Sequence, residues 1–116
     1  MSTPFVLVEN TGPTARVTLD RPERRNPLSL QMMREATAAI RALGDDPDCR
    51  VVVLTGSGPA LSAGHEISEM VERTLEQERE IFSVCVDLME SIQAIRQPVI
   101  AEVQGHAVAA GCQLVA

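Results

Sequence analysis

The feature that most constrains the fold is a short apolar run followed directly by a glycine-rich stretch. It occurs twice: residues 51–54 precede the stretch 55–67, and residues 99–101 precede the stretch 105–111. Apolar runs that end at glycine are typical of buried strands, and each stretch then leads into a helical segment. The first N–H groups of a helix have no partner within it, so they can bind a phosphate, a carboxylate or a carbonyl oxygen that becomes anionic. We therefore hypothesise that N–H groups from both stretches meet at one oxygen atom.

The first half of the chain alternates between strand and helix patterns. Residues 5–9 and 15–19 are β-rich runs separated by turn-forming residues, which predicts an antiparallel hairpin. Ser29 is expected to cap a helix, and a strand over residues 50–55 follows that helix. The apolar face of this helix is predicted to contain Leu30, Met33, Ala36, Ile40 and Leu43.

The second half is predicted to contain an exposed segment, a helix, a strand and a last helix. Residues 66–80 are acidic and only weakly periodic, which indicates a mobile or exposed segment before the longer helix. A buried strand over residues 99–103 precedes a helix that begins near Ala110. The buried face of the longer helix is predicted to contain Phe82, Cys85, Leu88 or Met89, Ile92 and Ile95. The fold class is therefore α/β, with a mostly parallel sheet, an N-terminal hairpin and a ligand site beyond the carboxyl ends of the strands.

Length and composition limit the class of protein. The 116 residues are enough for one domain, 1–116, but residues 110–116 form an apolar helix start without a stop signal, so we expect the front part of a longer protein. The net charge of −6 and the aromatic content of 2% argue against a nucleic-acid partner. The sequence has three widely spaced cysteines, no metal-binding pattern, no signal sequence and no membrane-spanning apolar run. It therefore predicts a cytoplasmic protein without a metal or a membrane partner.

Three chemistries are compatible with residues 55–67. A dinucleotide-binding loop would use Gly56 and Gly58, although the third glycine of that motif is missing. A serine hydrolase would use Ser62 as its nucleophile and would need a histidine later in the chain, for which His106 is the candidate. The third possibility is a site in which backbone N–H groups hold an oxyanion.

Three stretches resemble motifs of the crotonase superfamily, which contains the enoyl-CoA hydratases and isomerases. Residues 21–29, RPERRNPLS, resemble its R-P-x-x-x-N-A-L-[ST] motif. Residues 53–67, VLTGSGPALSAGHEI, resemble V-L-T-G-x-G-x-x-F-S-x-G-x-D-[LI], and residues 98–107, PVIAEVQGHA, resemble P-V-I-A-A-V-x-G-x-A. The order and spacing of the three motifs agree, and the resemblance extends over the whole chain.

The resemblance implies the N-terminal half of a crotonase-like ββα superhelix that forms trimers or pairs of trimers and binds acyl-CoA thioesters. The backbone N–H groups of His65 and Ala110 would hold the thioester oxygen, so the His65 imidazole is predicted to be structural. Coenzyme A enters as part of the substrate, and no other cofactor is implied. The residues implied to contact the substrate are Arg24, Arg25, Pro27, Ala63, Gly64, His65, Glu66, Ile67 and Ala110.

The sequence departs from the family pattern at Gln113, where the hydratases carry an acid–base Glu. Glutamine cannot transfer a proton at neutral pH, but it can hydrogen-bond a water molecule or the substrate. Two classes of function therefore stay open: a crotonase-type lyase, isomerase or thioesterase, and a non-catalytic acyl-CoA-binding or assembly protein. The 116-residue chain by itself is predicted not to turn over substrate.

Overall fold

The computed structural model describes residues 4–69, 71, 73–107 and 110–116. It begins with an antiparallel hairpin of strands β1 (Val6–Thr11) and β2 (Thr14–Leu19), which confirms the predicted hairpin. Gly12 lies in the turn with a φ of 76°, a left-handed conformation that glycine adopts without a Cβ clash. Alternate residues of β2 are buried, so one face of this strand belongs to the core.

Helix α1 (Leu30–Gly44) confirms the predicted helix and its cap. The Ser29 hydroxyl accepts a hydrogen bond of 3.1 Å from the Met32 N–H, as an N-cap serine does. The buried face differs from the prediction at its start, because Met32 is buried whereas Leu30 is only partly buried. Since α1 packs against both the sheet and the next helix, its buried face is wide enough for two adjacent methionines. The buried residues of α1 are Met32, Met33, Ala36, Ile40 and Leu43.

The larger sheet is mostly parallel, as predicted. Strand β3 (Val51–Gly56) lies parallel to β2, and β5 (Val99–Ala101) lies parallel to β3, so the strand order is β1-β2-β3-β5. Two further short strands, β4 (Ala60–Ser62) and β6 (His106–Ala107), form a separate parallel pair that the sequence does not predict. The α/β class with an N-terminal hairpin is confirmed.

Helix α2 (Leu75–Ala94) corrects the prediction for residues 66–80. The sequence predicts a mobile or exposed segment and a helix only after it, but a short 3₁₀ helix spans Ile67–Glu69 and α2 begins at Leu75. Met70 and Glu72, which belong to the same predicted segment, lie outside the described residues. Most of the other described residues of the segment are exposed, as predicted, but Glu66 is buried.

A capping box explains why α2 begins earlier than its apolar pattern indicates. The Thr74 hydroxyl accepts a hydrogen bond of 3.1 Å from the Gln77 N–H, and the Gln77 side chain accepts one of 2.9 Å from the Thr74 N–H. Glu76 and Glu78 lie in the first turn, where carboxylates interact favourably with the free N–H groups. These local polar interactions stabilise a helix start that has no buried face.

The buried face of α2 also differs from the prediction. The sequence predicts Phe82 in the core, but this side chain is 50% exposed and Ile81 is buried instead. Ser91 continues the buried face because its hydroxyl donates a hydrogen bond of 2.7 Å to the Leu88 carbonyl oxygen. Cys85 and Leu88 are buried as predicted, and Ile92 and Ile95 are partly buried against the core, so the main difference from the prediction is Phe82.

Strand β5 is shorter and more exposed than predicted. The sequence predicts a buried strand over residues 99–103, but β5 ends at Ala101 and Ile100 is 54% exposed. The reason is its place at the edge of the larger sheet. Glu102 follows the strand and forms a partly exposed ion pair of 3.0 Å with Arg16 on β2.

The core lies between the larger sheet and helices α1 and α2. It is aliphatic, as the composition predicts, and Leu114 of helix α3 (Ala110–Val115) belongs to it. The start of α3 agrees with the prediction, although Val108 and Ala109 before it lie outside the described residues. None of the described helices is long and apolar enough to cross a membrane. The largest fully buried side chains include Leu19, Leu28, Met32, Met33, Ile40, Leu54, Leu61 and Leu88.

Candidate functional site

Asn26 links the loop after β2 to the first glycine-rich stretch. Its side chain is fully buried, and its amide donates hydrogen bonds of 2.9 Å to the carbonyl oxygens of Ser57 and Ala60. Its side-chain oxygen accepts a hydrogen bond of 2.7 Å from the Arg21 N–H. Arg25 and Asn26 both have positive φ, 62° and 52°, which is uncommon outside glycine but is tolerated best by asparagine. The three hydrogen bonds of Asn26 hold this turn in place.

The backbone around Gly64 is fixed by the same loop. The Leu28 N–H donates a hydrogen bond of 2.6 Å to the Gly64 carbonyl oxygen, and the Ala63 N–H donates one of 2.9 Å to the Arg25 carbonyl oxygen. Gly64 has a φ of 92°, a conformation that favours glycine. The main chain that leads into His65 is therefore held from one side by the loop that contains Arg25 and Leu28.

Ser62 is part of this support. Its side chain is fully buried, and its hydroxyl donates a hydrogen bond of 2.8 Å to the Asn26 carbonyl oxygen and accepts one of 3.2 Å from the Gly64 N–H. A serine nucleophile needs an adjacent base and access to substrate. Both hydrogen bonds of Ser62 are made with the backbone instead, so the geometry does not favour the serine hydrolase alternative.

Glu66 forms a buried anchor for the arginine-rich loop. It is 8% exposed, and its carboxylate lies 3.0 Å from the Arg24 guanidinium and 3.8 Å from that of Arg21. The Arg21 guanidinium also lies over the Phe5 ring, 4.7 Å from its centre. Arg25 is exposed and has no ion pair within the described part of the chain. Of the two arginines predicted to contact coenzyme A, Arg24 is thus already paired and Arg25 is available.

The second glycine-rich stretch packs against the first. Strand β6 lies parallel to β4, and the Gln104 side-chain amide donates hydrogen bonds to the carbonyl oxygens of Gly58, at 3.2 Å, and Ala60, at 3.0 Å. Gly111, in the first turn of α3, lies so close to Ser62 that a Cβ atom there would come within 2.6 Å of the Ser62 carbonyl oxygen. The start of α3 therefore lies on the strand that leads to Gly64 and His65.

A cavity of about 600 Å³ lies between α2, α3 and strands β3 and β5. His65 and Gln113, two of the predicted site residues, both line it. Its walls are mostly apolar and include Leu54, Phe82, Val86, Met89, Val99 and Leu114.

The His65 side chain packs against Phe82 at this cavity. The two ring centres are 5.6 Å apart and the rings are nearly perpendicular, at 78°. The imidazole Nδ1 is buried and has no hydrogen-bond partner among the described residues. Sequence analysis missed Phe82 as a site residue, because the direction of a helical side chain near the surface depends on how the helix packs.

The remaining predicted contacts lie in different environments. Pro27 is buried beneath the loop, and Ala63 is exposed. Ile67 is 74% exposed on the short 3₁₀ helix. Of the predicted substrate contacts, His65 lines the cavity, whereas the following do not: Arg24, Arg25, Pro27, Ala63, Gly64, Glu66 and Ile67.

Two other cavity residues can ionise, Cys85 and Glu90. Burial raises the pKa of the Cys85 thiol above its ordinary value, because the thiolate loses hydration inside the protein. Glu90 is exposed on α2. In the described part of the chain no group of three or more His, Cys, Asp or Glu side chains is arranged to hold a metal ion.

Known relatives match both the sequence and the fold. The family profile of enoyl-CoA hydratase/isomerase matches residues 9–116. The protein named enoyl-CoA hydratase domain-containing protein 3, mitochondrial, from Xenopus laevis is 39% identical over 115 residues, which are 98% of this chain and 39% of that protein. Its namesake from Danio rerio is 40% identical over 116 residues, 99% of this chain and 40% of that protein.

Crystal structures of such proteins have the same fold. The enoyl-CoA hydratase of Mycobacterium smegmatis superposes with a TM-score of 0.92 at 40% identity, covering 97% of this chain and 44% of that one. Human enoyl-CoA hydratase domain-containing protein 3 superposes with a TM-score of 0.91 at 33% identity, covering 95% of this chain and 44% of that one. The chain thus spans about two fifths of the length of these relatives, 39–44%. Since profile, identity and fold agree, the chain belongs to the enoyl-CoA hydratase/isomerase family, the crotonases.

Proposed function

We propose that the chain binds an acyl-CoA thioester and stabilises its enolate with two backbone N–H groups, those of His65 and Ala110. The observation that carries this proposal is the contact between Gly111 and the Ser62 carbonyl oxygen, which brings the two glycine-rich stretches together. The hydrogen bonds at both the N–H and the carbonyl oxygen of Gly64 support it further, because they fix the backbone before His65.

The chemistry of a thioester explains why such donors would matter. When a proton leaves the carbon beside the thioester, or water adds to a conjugated alkene, negative charge moves to the carbonyl oxygen. Donors that are already in place stabilise this charge without reorganisation, and the removal of one such donor costs about 3–4 kcal/mol in other enzymes. Backbone donors suit this purpose because secondary structure, and not a side-chain rotamer, determines their position.

The two regions of the site would bind different parts of the ligand. The apolar cavity beside His65 suits an acyl chain, which is an apolar group. Arg25, whose guanidinium is exposed, suits a phosphate group of coenzyme A, whereas Arg24 would first have to leave Glu66. Coenzyme A would thus be bound as part of the substrate, without a further cofactor.

Gln113 supports a second candidate function, that of a non-catalytic acyl-CoA-binding protein. It lines the cavity at the position of the family Glu and cannot transfer a proton. Reaction by lyase or isomerase chemistry remains our first candidate because the chain belongs to this family. We further propose a homotrimeric or hexameric assembly, which the family resemblance implies, and a cytoplasmic location, which the sequence predicts. The name of the Xenopus relative places that protein in mitochondria.

The N–H of His65 can be tested separately from its side chain. His65→Pro removes the N–H, whereas His65→Ala keeps it and removes only the imidazole. The carbonyl stretching band of a bound ¹³C-labelled butyryl-CoA thioester should move to lower wavenumber in the wild-type chain and in His65→Ala, and should lose this shift in His65→Pro. Circular dichroism of both variants identifies a loss of fold.

Two results would contradict the proposal. One is a well-folded His65→Pro chain that keeps the carbonyl shift, since the N–H would then have no part in it. The other is a wild-type chain that does not bind butyryl-CoA in isothermal titration calorimetry.

The second candidate function is tested with crotonyl-CoA, whose conjugated thioester absorbance is lost on hydration. Binding without any loss of absorbance, and no gain of activity in Gln113→Glu, would favour a protein that binds acyl-CoA without converting it. Loss of absorbance in the wild-type chain would exclude that candidate.

A further inference from the structure

The end of the first glycine-rich stretch is held by two carboxylates against the loop that precedes α1. The Glu66 carboxylate accepts a hydrogen bond of 3.0 Å from the Arg24 guanidinium and lies 3.8 Å from the Arg21 guanidinium. Three residues later, the Glu69 carboxylate accepts a hydrogen bond of 2.9 Å from the Leu30 N–H, at the start of α1. Both carboxylates thus join segments that are far apart in the chain.

The direction of the His65 N–H follows from the peptide bond before it. This bond is trans, so the Gly64 C=O and the His65 N–H lie in one plane and point in opposite directions. The C=O accepts a hydrogen bond of 2.6 Å from the Leu28 N–H, and the His65 N–H therefore points away from the loop that contains Leu28. Any contact that stops this peptide plane from rotating also fixes the direction of the N–H.

Glu66 supplies such a contact immediately after His65. His65 forms an isolated parallel β-bridge with Leu28, which is not extended into a strand. On one side of this bridge the Ala63 N–H donates a backbone hydrogen bond of 2.9 Å, and on the other side lies the ion pair of Glu66 with Arg24. Because a single bridge leaves the backbone free to twist, these flanking contacts determine its orientation.

Positioning explains the Glu66 ion pair better than stability does. The Glu66 side chain is 10% exposed, so its carboxylate has lost most of its hydration, and this cost offsets much of the attraction to the two guanidinium groups. A buried ion pair still defines one arrangement, since a displaced charge would be left without its partner. Arg21 is itself held over the Phe5 ring, so Glu66 is bound to a partner of fixed position.

We propose that Glu66 is a positioning residue for the oxyanion-binding N–H of His65. Its charge attaches the backbone after His65 to Arg24 and Arg21, and this attachment keeps the Gly64–His65 peptide plane turned toward the thioester oxygen. The inference rests on the proposed function, because the thioester oxygen is the ligand of that N–H. Glu66 does not line the cavity, so it acts through His65 and not by contact with the acyl group.

The experiment compares the carbonyl stretching band of bound ¹³C-labelled butyryl-CoA between the 116-residue chain and its variants, at saturating ligand. Glu66→Ala should give a band between those of the wild-type chain and His65→Pro, because the N–H is present but no longer held in one direction. Glu66→Asp keeps the charge and should restore most of the wild-type shift, since the half-exposed Arg24 side chain can follow the shorter carboxylate. A purely structural role would lower the Tm of Glu66→Ala without moving the band of the bound ligand.

Glu102→Ala is the matched control. Glu102 pairs with Arg16 over the same distance, 3.0 Å, but its side chain is 54% exposed and does not line the cavity. Its removal should leave the carbonyl shift at the wild-type value. If circular dichroism shows that Glu66→Ala does not fold, Glu66→Gln replaces it with the same expected band, because this variant keeps the side-chain volume and removes only the charge.

The outcomes separate the role of Glu66 from the proposed function. A wild-type chain without binding or without a carbonyl shift would overturn the proposed function. A wild-type shift that is kept in folded Glu66→Ala, or lost equally in Glu102→Ala, would overturn only the role of Glu66. The same holds for a Glu66→Asp chain that is as impaired as Glu66→Ala, since the charge would then not determine the direction of the N–H.

Discussion

Asn26 shows how one residue determines the shape of a site that it does not enter. It lies beneath the stretch that ends at Gly64, has positive φ, and makes three hydrogen bonds to backbone groups. Ser62 extends the same support by binding both the Asn26 carbonyl oxygen and the Gly64 N–H. The position of the His65 N–H therefore depends on two buried polar side chains that have no direct contact with a ligand.

We predict that Asn26→Ala lowers the free energy of unfolding by about 2–4 kcal/mol, because it leaves buried backbone groups without partners. Urea unfolding followed by circular dichroism measures this change. Asn10→Ala is the control, since the Asn10 side chain bonds to Asp46 at the surface and its loss should cost less than about 0.5 kcal/mol. Equal effects of the two substitutions would contradict the role of Asn26.

The cysteines differ in environment, and their reactivity should differ accordingly. Because burial raises the pKa of Cys85, little thiolate forms there at pH 8, so iodoacetamide should modify the exposed Cys112 much faster. Any stability that the neutral Cys85 thiol contributes is present below its ordinary pKa and is lost as the pH rises toward the higher folded value. Mass spectrometry of timed samples gives the two rates, and modification of both residues at one rate would refute this prediction.

Single residues could be predicted from the sequence only where a motif fixes their neighbours. The sequence places Gly64 and His65 in a glycine-rich turn, and the structure brings this turn against α3. It does not reveal that Glu66 pairs with Arg24, because that contact joins segments far apart in the chain. It also does not reveal that the His65 ring packs against Phe82, or that its Nδ1 is buried without a hydrogen-bond partner among the described residues.

At the scale of elements, α2 shows that a helix can be determined by its cap. Its first turns are exposed and carry several charges, so apolar periodicity gives no signal there. The Thr-x-x-Gln spacing of Thr74 and Gln77 was the available signal, and the hydrogen bonds of the capping box explain its effect. Strands β4 and β6 had no such local signal, because strands of two or three residues exist only through their pairing.

Thr74→Ala should destabilise the chain by about 1 kcal/mol, the usual contribution of an N-cap hydroxyl. The effect should appear in thermal or urea unfolding, and amide hydrogen exchange should increase first in the initial turn of α2. Ser83→Ala, an exposed change farther along the same helix, should remain within about 0.5 kcal/mol of the wild-type chain. A result in which Ser83→Ala destabilises as much as Thr74→Ala would argue against the cap.

At the scale of the whole molecule, the fold was more predictable than the site. Local periodicity predicts the alternation of strands and helices, and this alternation predicts the mostly parallel sheet that the structure has. To predict the cavity, one would need the relative positions of α2, α3 and β5. These positions are set by packing between segments far apart in the chain, such as those that contain Leu54 and Leu114. Sequence reasoning could therefore identify both glycine-rich stretches but not the apolar space in front of them.

Ligand binding at the cavity should stabilise the entire chain. With butyryl-CoA at one hundred times its Kd, the free energy of unfolding should rise by about 2.7 kcal/mol. For a chain of this length, that corresponds to an increase in Tm of roughly 10 °C, measured by differential scanning calorimetry. Phe82→Asp is the control: it places a charge at the apolar cavity, so this variant should bind butyryl-CoA less tightly and show a smaller increase in Tm. No increase at saturating ligand would contradict binding.

The strand order has a consequence for how the chain assembles during its synthesis. Each strand of the larger sheet after β1 pairs with a strand that precedes it in the chain, so this sheet can grow at one edge as residues leave the ribosome. Strand β4 is the exception, because its partner His106–Ala107 is translated much later. A nascent chain that ends before β6 can thus contain the larger sheet and most of its core while Ala60–Ser62 has no strand partner. The geometry around His65 is then completed only after β6 has formed.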